Sequence, residues 1–342
     1  MSDDLDDIRA LAAEDETRAA LRKALLALDK AKASKAELVA AVYQAARDAA
    51  ATMTVPSVPH RGKQGAKRNT DTDAEAAILL MADWQFGKKT PTYSTEVATA
   101  RLRAYADKVR RLIDYQRKHH PVSEARIYLL GDLLEGELIF PGQAHRIDAS
   151  LYRQLFDGAG LLAEVVSSVA SDVDSVKVVG VIGNHGSIGG QSRRDMHPES
   201  NADAMLYNIA RLSVKDPRVD WRETLVSEER AWFAIDEVYG KRWLLWHSDQ
   251  IKGSAFGYPW YGLGKKLLGY ATSVAPFDYS VAGHWHVPVR VTLNAITHWG
   301  SGSPESGNTY AQEFLASGSQ QPSQWLIFQG ANGPTAEYLV RL

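Results

Sequence analysis

The stretch Tyr279-Ser280-Val281-Ala282-Gly283-His284-Trp285-His286 puts two imidazoles, separated by one residue, directly after an apolar run. Four other apolar runs end in a similar way. Ala77–Ala82 leads into Asp83-Trp84-Gln85, and Arg126–Leu130 into Gly131-Asp132. Val176–Ile182 leads into Gly183-Asn184-His185-Gly186, and Arg242–Trp246 into His247. Imidazole, carboxylate and carboxamide groups are donors for divalent cations where no thiolate is present. Taken singly, each has a bland reading: an Asp after a strand caps a turn or helix, and a His fills core or surface. Five in one structural position, with two i, i+2 pairs among them, point to a shared target. In extended chain, residues i and i+2 face the same side. Asp83 with Gln85, and His284 with His286, are therefore expected to reach one point.

Such a target needs strands to carry its ligands. From residue 76 on, short apolar runs alternate with helical patterns at Thr95 to about Lys118, 149–170 and Asn201–Ser213. That β-α-β-α order predicts a mixed sheet covered by helices. Ligands in such folds collect at the carboxyl ends of the strands. Glycine before Asp132, Asn184 and His284 permits the tight turns that aim those side chains. After residue 219 the chain is strand-rich. A hairpin is expected to turn at Gly240, with further strands at Asp278–Gly283 and near 289–298, 324–329 and 335–341. These predict a second sheet.

The remaining sequence limits the setting. Residues 1–53 are rich in Ala, Leu, Lys, Asp and Glu, and Ser34-Lys35-Ala36-Glu37 reads as a capping box. A helical hairpin is expected there, either as an oligomerisation or partner-docking element or as an appendage; the lack of sustained heptads favours the appendage. Residues 54–75, with Pro, Gly and the basic Arg61, Lys63, Lys67 and Arg68, read as a linker to a domain at 76–342. The chain has 342 residues, 45% hydrophobic content and a net charge of −2, so any nucleic-acid contact must come from local patches. There is no cysteine, which excludes disulfides and thiolate-held zinc. The acidic start lacks a signal-peptide pattern and no run reaches the roughly 20 apolar residues of a membrane span. A cytoplasmic protein with no membrane partner is expected.

In order and in strand context, these motifs resemble the calcineurin-like metallophosphoesterase superfamily. Its pattern runs D-x-H, G-D-x-x-[D or E], G-N-H-[D or E], a lone His, and G-H-x-H. Here the positions read Asp83-Trp84-Gln85, Gly131-Asp132-Leu133-Leu134-Glu135, Gly183-Asn184-His185-Gly186, His247 and Gly283-His284-Trp285-His286. The resemblance spans about residues 76 to 300. It implies an α/β fold, a four-layer αββα sandwich of two mixed sheets flanked by helices, with the N-terminal helical appendage outside it. It also implies two divalent ions. Asp83, Gln85, Asp132 and His286 would hold one; Asp132, Asn184, His247 and His284 would hold the other, with Asp132 bridging. Such a pair, roughly 3.5–4 Å apart, clamps the attacking and leaving oxygens of a phosphoryl displacement. The donor set favours manganese, with iron, zinc or magnesium as alternatives. His185 would contact the phosphate and act as general acid. Two departures stand out. Gln85 replaces the family's histidine, which predicts a weaker first site. Gly186 replaces its acidic residue, so a carboxylate orienting His185 must come from elsewhere, with Asp195 and Glu199 as candidates.

The resemblance is nearest in style to DNA repair exonucleases. Gly136 and Gly186 stand where the protein-phosphatase branch carries arginine and glutamate, which disfavours that branch. Arg193 and Arg194, Lys88, and the His145-Arg146 pair are candidate phosphate-binding residues on loops after the strand ends. The segment 256–270 interleaves aromatics with glycine and lysine, either as a wall on which bases stack or as a packed lid helix. The favoured expectation is a phosphodiesterase or nuclease acting on DNA. The alternatives are a phosphomonoesterase or small-molecule phosphodiesterase, and a non-catalytic scaffold whose metal site has decayed.

Overall fold

The computed structural model describes residues 23, 37, 40–41, 44–45, 47–53, 55, 73–137, 139, 142–188, 200–222, 232–252, 257–308 and 321–342. The chain divides into two compact units, Met1–Ala49 and Ala50–Leu342. In the first, the described residues are helical; the expected hairpin and the linker lie largely outside the described residues.

Among the described residues of the second unit, eleven strands form two sheets. The first contains β1 (Glu75–Met81), β2 (Val122–Leu129), β3 (Ser175–Gly180), β4 (Val219–Arg222), β10 (Ser323–Gly330) and β11 (Gly333–Arg341), in the order β11-β10-β1-β2-β3-β4. β1 to β4 run parallel, β10 returns antiparallel to β1, and β11 is antiparallel to β10. The second sheet holds β5 (Phe233–Val238), β6 (Lys241–Trp246), β7 (Tyr279–Ala282), β8 (Val289–Leu293) and β9 (Ile296–Gly300), in the order β5-β6-β7-β9-β8. The expected hairpin turns through Tyr239 and Gly240, both at positive φ, as a two-residue loop between antiparallel strands requires. Assigning the last strands to the second sheet requires correction. The segments at 324–329 and 335–341 join the first sheet, where β10 pairs with β1 from Ala76 to Leu79.

β1 is buried along its whole length, which explains its unbroken apolar sequence. Ala76, Ile78, Leu80 and Ala82 face the second sheet, in one cluster with Tyr128, Val179, Trp243, Leu245, Val281 and Trp299. Trp243 and Trp299 stack at 5.3 Å between ring centres within it. The helices α1 (Thr95–Gln116), α2 (Leu151–Ala170) and α3 (Ala202–Ser213) pack beside the first sheet, α1 on β11 and α2 on β2 and β3. On the outer face of the second sheet, α4 (Trp260–Ser273) buries Leu263 and Leu267 against Leu244, Trp246 and Ile296. The result is the expected α/β/β/α sandwich. Among the described residues, no helix is long and apolar enough to cross a membrane.

Candidate metal centre

The parallel strands of both sheets deliver the five motifs to one end of the sandwich. Asp83 and Gln85 follow β1, Asp132 follows β2, and Asn184 and His185 follow β3; His247 follows β6, and His284 and His286 follow β7. The way the paired residues converge differs from the extended-strand expectation. Asp83 and Gln85 stand at φ 54° and 43°, Asp132 at 54°, and His284 and His286 at 80° and 55°. This is the left-handed region, which non-glycine residues enter at a cost and which collects at functional sites. Tight turns, not strand alternation, aim these side chains.

Asp132, His247 and His284 bring one donor atom each to within 4.8 Å of one another. The His247 Nδ1–H donates to the Leu130 carbonyl at 2.7 Å, which leaves Nε2 facing inward. That Nε2 lies 2.9 Å from Asp132 Oδ2 and 3.1 Å from Asn184 Oδ1. A backbone-anchored Nδ1–H is the usual way a ligating histidine is fixed in tautomer and orientation. Burial and the neighbouring His247 push His284 down to about 3, so its ring is neutral and its lone pair free. Burial alone would raise Asp132, but the His247 and His185 rings hold it well below the usual carboxylate range. Burial lowers His247, but Asp132 outweighs it and pushes the ring up to about 9, so a divalent cation would take the place of the Nε2 proton that Asp132 holds. One carboxylate, two imidazoles and one carboxamide oxygen would fit such a cation.

The half holding Asp83, Gln85 and His286 is built differently. The Lys88 ammonium donates to Gln85 Oε1 at 2.6 Å, which fixes the amide oxygen outward. The Gln85 nitrogen therefore faces the site, 3.2 Å from His286 Nε2 and 3.5 Å from His185 Nε2. A carboxamide nitrogen has no lone pair to offer a metal. His286 sits between two carboxylates, with Nε2 3.5 Å from Asp83 Oδ1 and Nδ1 2.9 Å from Glu305 Oε2. Burial pulls His286 down, but those carboxylates prevail and push it up to about 10. Glu305 also lies 2.9 Å from Lys88 Nζ. Burial would raise Glu305, yet Lys88 and His286 bring it down to about 2. As placed, Gln85 turns a nitrogen and not an oxygen toward this half, and both ring nitrogens of His286 face carboxylates.

The carboxylate beside His185 is Glu135. His185 Nδ1 lies 2.9 Å from the Glu135 carbonyl oxygen and 3.3 Å from its Oε2, leaving Nε2 toward the site. Burial lowers the His185 pKa, but Glu135 and Asp132 outweigh it and push the ring up to about 9. Asp195 and Glu199 lie outside the described residues.

Two further residues brace the loops. Asp203, in the first turn of α3, accepts the backbone N–H groups of Asp132, Leu133 and Gly183, each at 2.9 Å. Burial and the Asp132 charge nevertheless push Asp203 up to about 6. Gln324, buried on β10, grips both backbone groups of Ala82, accepting its N–H at 3.1 Å and donating to its carbonyl at 2.9 Å. The glycines answer to the same crowding. A Cβ at Gly183 would meet Asp132 Oδ1 at 2.0 Å, and one at Gly186 would meet Asn201 Oδ1 at 2.2 Å. The α3 cap Asn201 thus excludes any side chain, acidic or other, at position 186.

The rim residues are more scattered. His145 and Arg146 are exposed, on a segment tied to the β1 loop by the Lys89 N–H to the Arg146 carbonyl. Arg193 and Arg194 lie outside the described residues. Of the 256–270 aromatics, Trp260 and Tyr261 are 43% and 86% exposed while Tyr258 is buried. A run of ring contacts joins Trp260 to Tyr258 at 4.9 Å, Tyr258 to Trp285 at 6.2 Å and Trp285 to His284 at 5.1 Å.

No protein-family model matches the chain, and no curated protein does. Solved structures with a similar arrangement include an archaeal phosphodiesterase, at 10% identity and TM-score 0.33, over 77% of this chain and 99% of that one. YfcE, a phosphoesterase from E. coli, matches at 14% identity and TM-score 0.33, over 78% of this chain and 100% of its own. Wild-type Vps29 complexed with zinc, from Entamoeba histolytica, matches at 12% identity and TM-score 0.32, over 73% of this chain and 84% of its own.

Proposed function

We propose that this chain is a metal-dependent phosphoric ester hydrolase, and that it acts as a phosphodiesterase on DNA. The observation that carries the hydrolase reading is the convergence of Asp132, Asn184, His247 and His284 beside a histidine that is itself backed by Glu135. These four residues would hold the cation, with manganese favoured by the mixed donors. When bound, such an ion polarises a phosphoryl oxygen and acidifies water. The chain supplies the rest. His185 keeps a proton on Nδ1 for Glu135 and presents Nε2 to the site, where an Nε2 proton can pass to a leaving oxygen. Its raised pKa keeps that proton in place at neutral pH.

The DNA reading is supported by the exposed Trp260 and Tyr261, since aromatic faces stack on unpaired bases at about 1–3 kcal/mol each. The test is a panel of single- and double-stranded DNA, nucleotides and p-nitrophenyl phosphate, assayed with manganese. Cleavage of DNA, abolished in Asp132→Ala, is expected. Turnover confined to nucleotides or the aryl ester would replace DNA by a small substrate. No turnover with any divalent ion would refute the hydrolase reading.

A further inference from the structure

We infer that the Lys88 ammonium is a built-in cation in the half-site of Asp83, Gln85 and His286, so that the centre takes one divalent ion rather than two. This rests on the metal centre described above at Asp132, Asn184, His247 and His284. Three observations carry it. First, Lys88 Nζ is held at 2.6 Å by Gln85 Oε1 and at 2.9 Å by Glu305 Oε1, and Glu135 Oε2 lies 4.0 Å away. The amide oxygen a second ion would need is already engaged. Second, the pair is buried: the Lys88 side chain is 15% exposed and that of Glu305 2%. A buried charge stays only where it is paired, and removing one partner strands the other. Glu305 comes from the segment after β9, outside all five motifs, and its carboxylate joins Lys88 to His286. Third, with its oxygen on Lys88, Gln85 turns its nitrogen into the half-site, 3.2 Å from His286 Nε2, where an ion would need an acceptor. A dication brought into the same half would face a like charge that cannot withdraw without giving up its buried pairing with Glu305 and its bond to Gln85.

The substitution of Gln85 for an imidazole is, on this reading, one part of a matched set. Lys88 needs an acceptor, and a carboxamide oxygen provides it. Restoring a histidine at position 85 alone therefore leaves the cation in place.

The experiment counts metal per chain, independently of turnover. Full-length protein is stripped with chelator, reloaded with manganese, desalted and measured by inductively coupled plasma mass spectrometry, with calorimetric titration alongside. Wild type and Gln85→His are each expected to hold one ion. Q85H/K88M, which also removes the ammonium, is expected to hold two, and Q85H/K88R, which keeps a cation, one. Two ions in wild type or in Gln85→His would overturn the inference and leave the hydrolase reading standing. So would a single ion in a Q85H/K88M protein whose circular dichroism matches wild type; if that variant does not fold, the wild-type and Gln85→His counts still decide. No ion in wild type would overturn the inference and the metal centre together.

Discussion

Gly183→Ala adds one methyl group where two of the strand-end loops touch. The new Cβ would lie 2.0 Å from Asp132 Oδ1 and 2.5 Å from the Asp132 nitrogen, whereas ordinary contact begins at 3.4 Å. Asp132 must therefore retreat by about 1.4 Å at its carboxylate. It is not free to do so by rotation. Its Oδ1 accepts the His185 N–H at 2.7 Å, and its own N–H is held by Asp203 at 2.9 Å. Overpacking costs about 1–3 kcal/mol. Loosening either of the two buried hydrogen bonds adds about 1 kcal/mol. A total of about 2–4 kcal/mol corresponds to a fall in Tm of roughly 5–10 °C for a domain of this size. Displacement of a ligand by more than 1 Å is worth on the order of a hundredfold in rate. Thermal and urea unfolding, with manganese titration and turnover, read both effects. Gly269→Ala is the control: it lies in α4 with nothing within 4 Å of the added Cβ. The same chemical change there should stabilise by about 0.5–1 kcal/mol. If Gly183→Ala unfolds with wild type and binds manganese unchanged, the crowding at Asp132 does not exist in solution.

Glu135→Gln removes the carboxylate that outweighs burial at His185, so the ring pKa falls. As a general acid His185 works only while protonated. Activity should decline as pH rises above about 9 in wild type, and that alkaline limb should move to lower pH in the variant, read from kcat/KM against pH. W260A/Y261A should raise KM for single-stranded DNA about tenfold or more by loss of stacking, while kinetics on p-nitrophenyl phosphate stay at wild-type values. Gln324→Leu leaves the backbone groups of Ala82 unpaired inside the sandwich, at about 2–4 kcal/mol by urea unfolding, and a smaller loss would mean that water replaces the amide.

The strand ends were legible because each pairs an apolar run with an abrupt polar residue, and burial on both faces of β1 leaves no other sequence for it. What escaped is what depends on distant contacts. Glu305 sits in Gly302-Ser303-Pro304-Glu305-Ser306, which reads as an ordinary loop; only the pairing of β7 with β9 brings it to His286. Asp203 reads as a first-turn helix acid, and its three backbone partners come from two other loops. Gly186 read as a missing acid, whereas the neighbouring Asn201 leaves no room for any side chain. The i, i+2 spacing pointed to convergence for the wrong local reason, since the paired residues occupy left-handed turns and not extended chain. Sequence spacing cannot tell these two geometries apart. Lys88 read as a phosphate contact, and its ion pair with Glu305 was hidden because that carboxylate lies far along the chain.

The left-handed turns at Asp83, Gln85, Asp132, His284 and His286 are stabilised by contacts within the protein: Asp83 accepts the His284 N–H at 2.9 Å, Ser303 donates to the Asp83 carbonyl at 2.7 Å, and Asp203 clasps the Asp132 loop. The turns that aim these side chains are thus tied into the protein's own hydrogen-bond network, each loop held by a residue from another. Ser303→Ala, which touches none of the motif side chains, therefore releases the Asp83 carbonyl and disturbs the aim of a loop that Ser303 reaches from the far end of the chain.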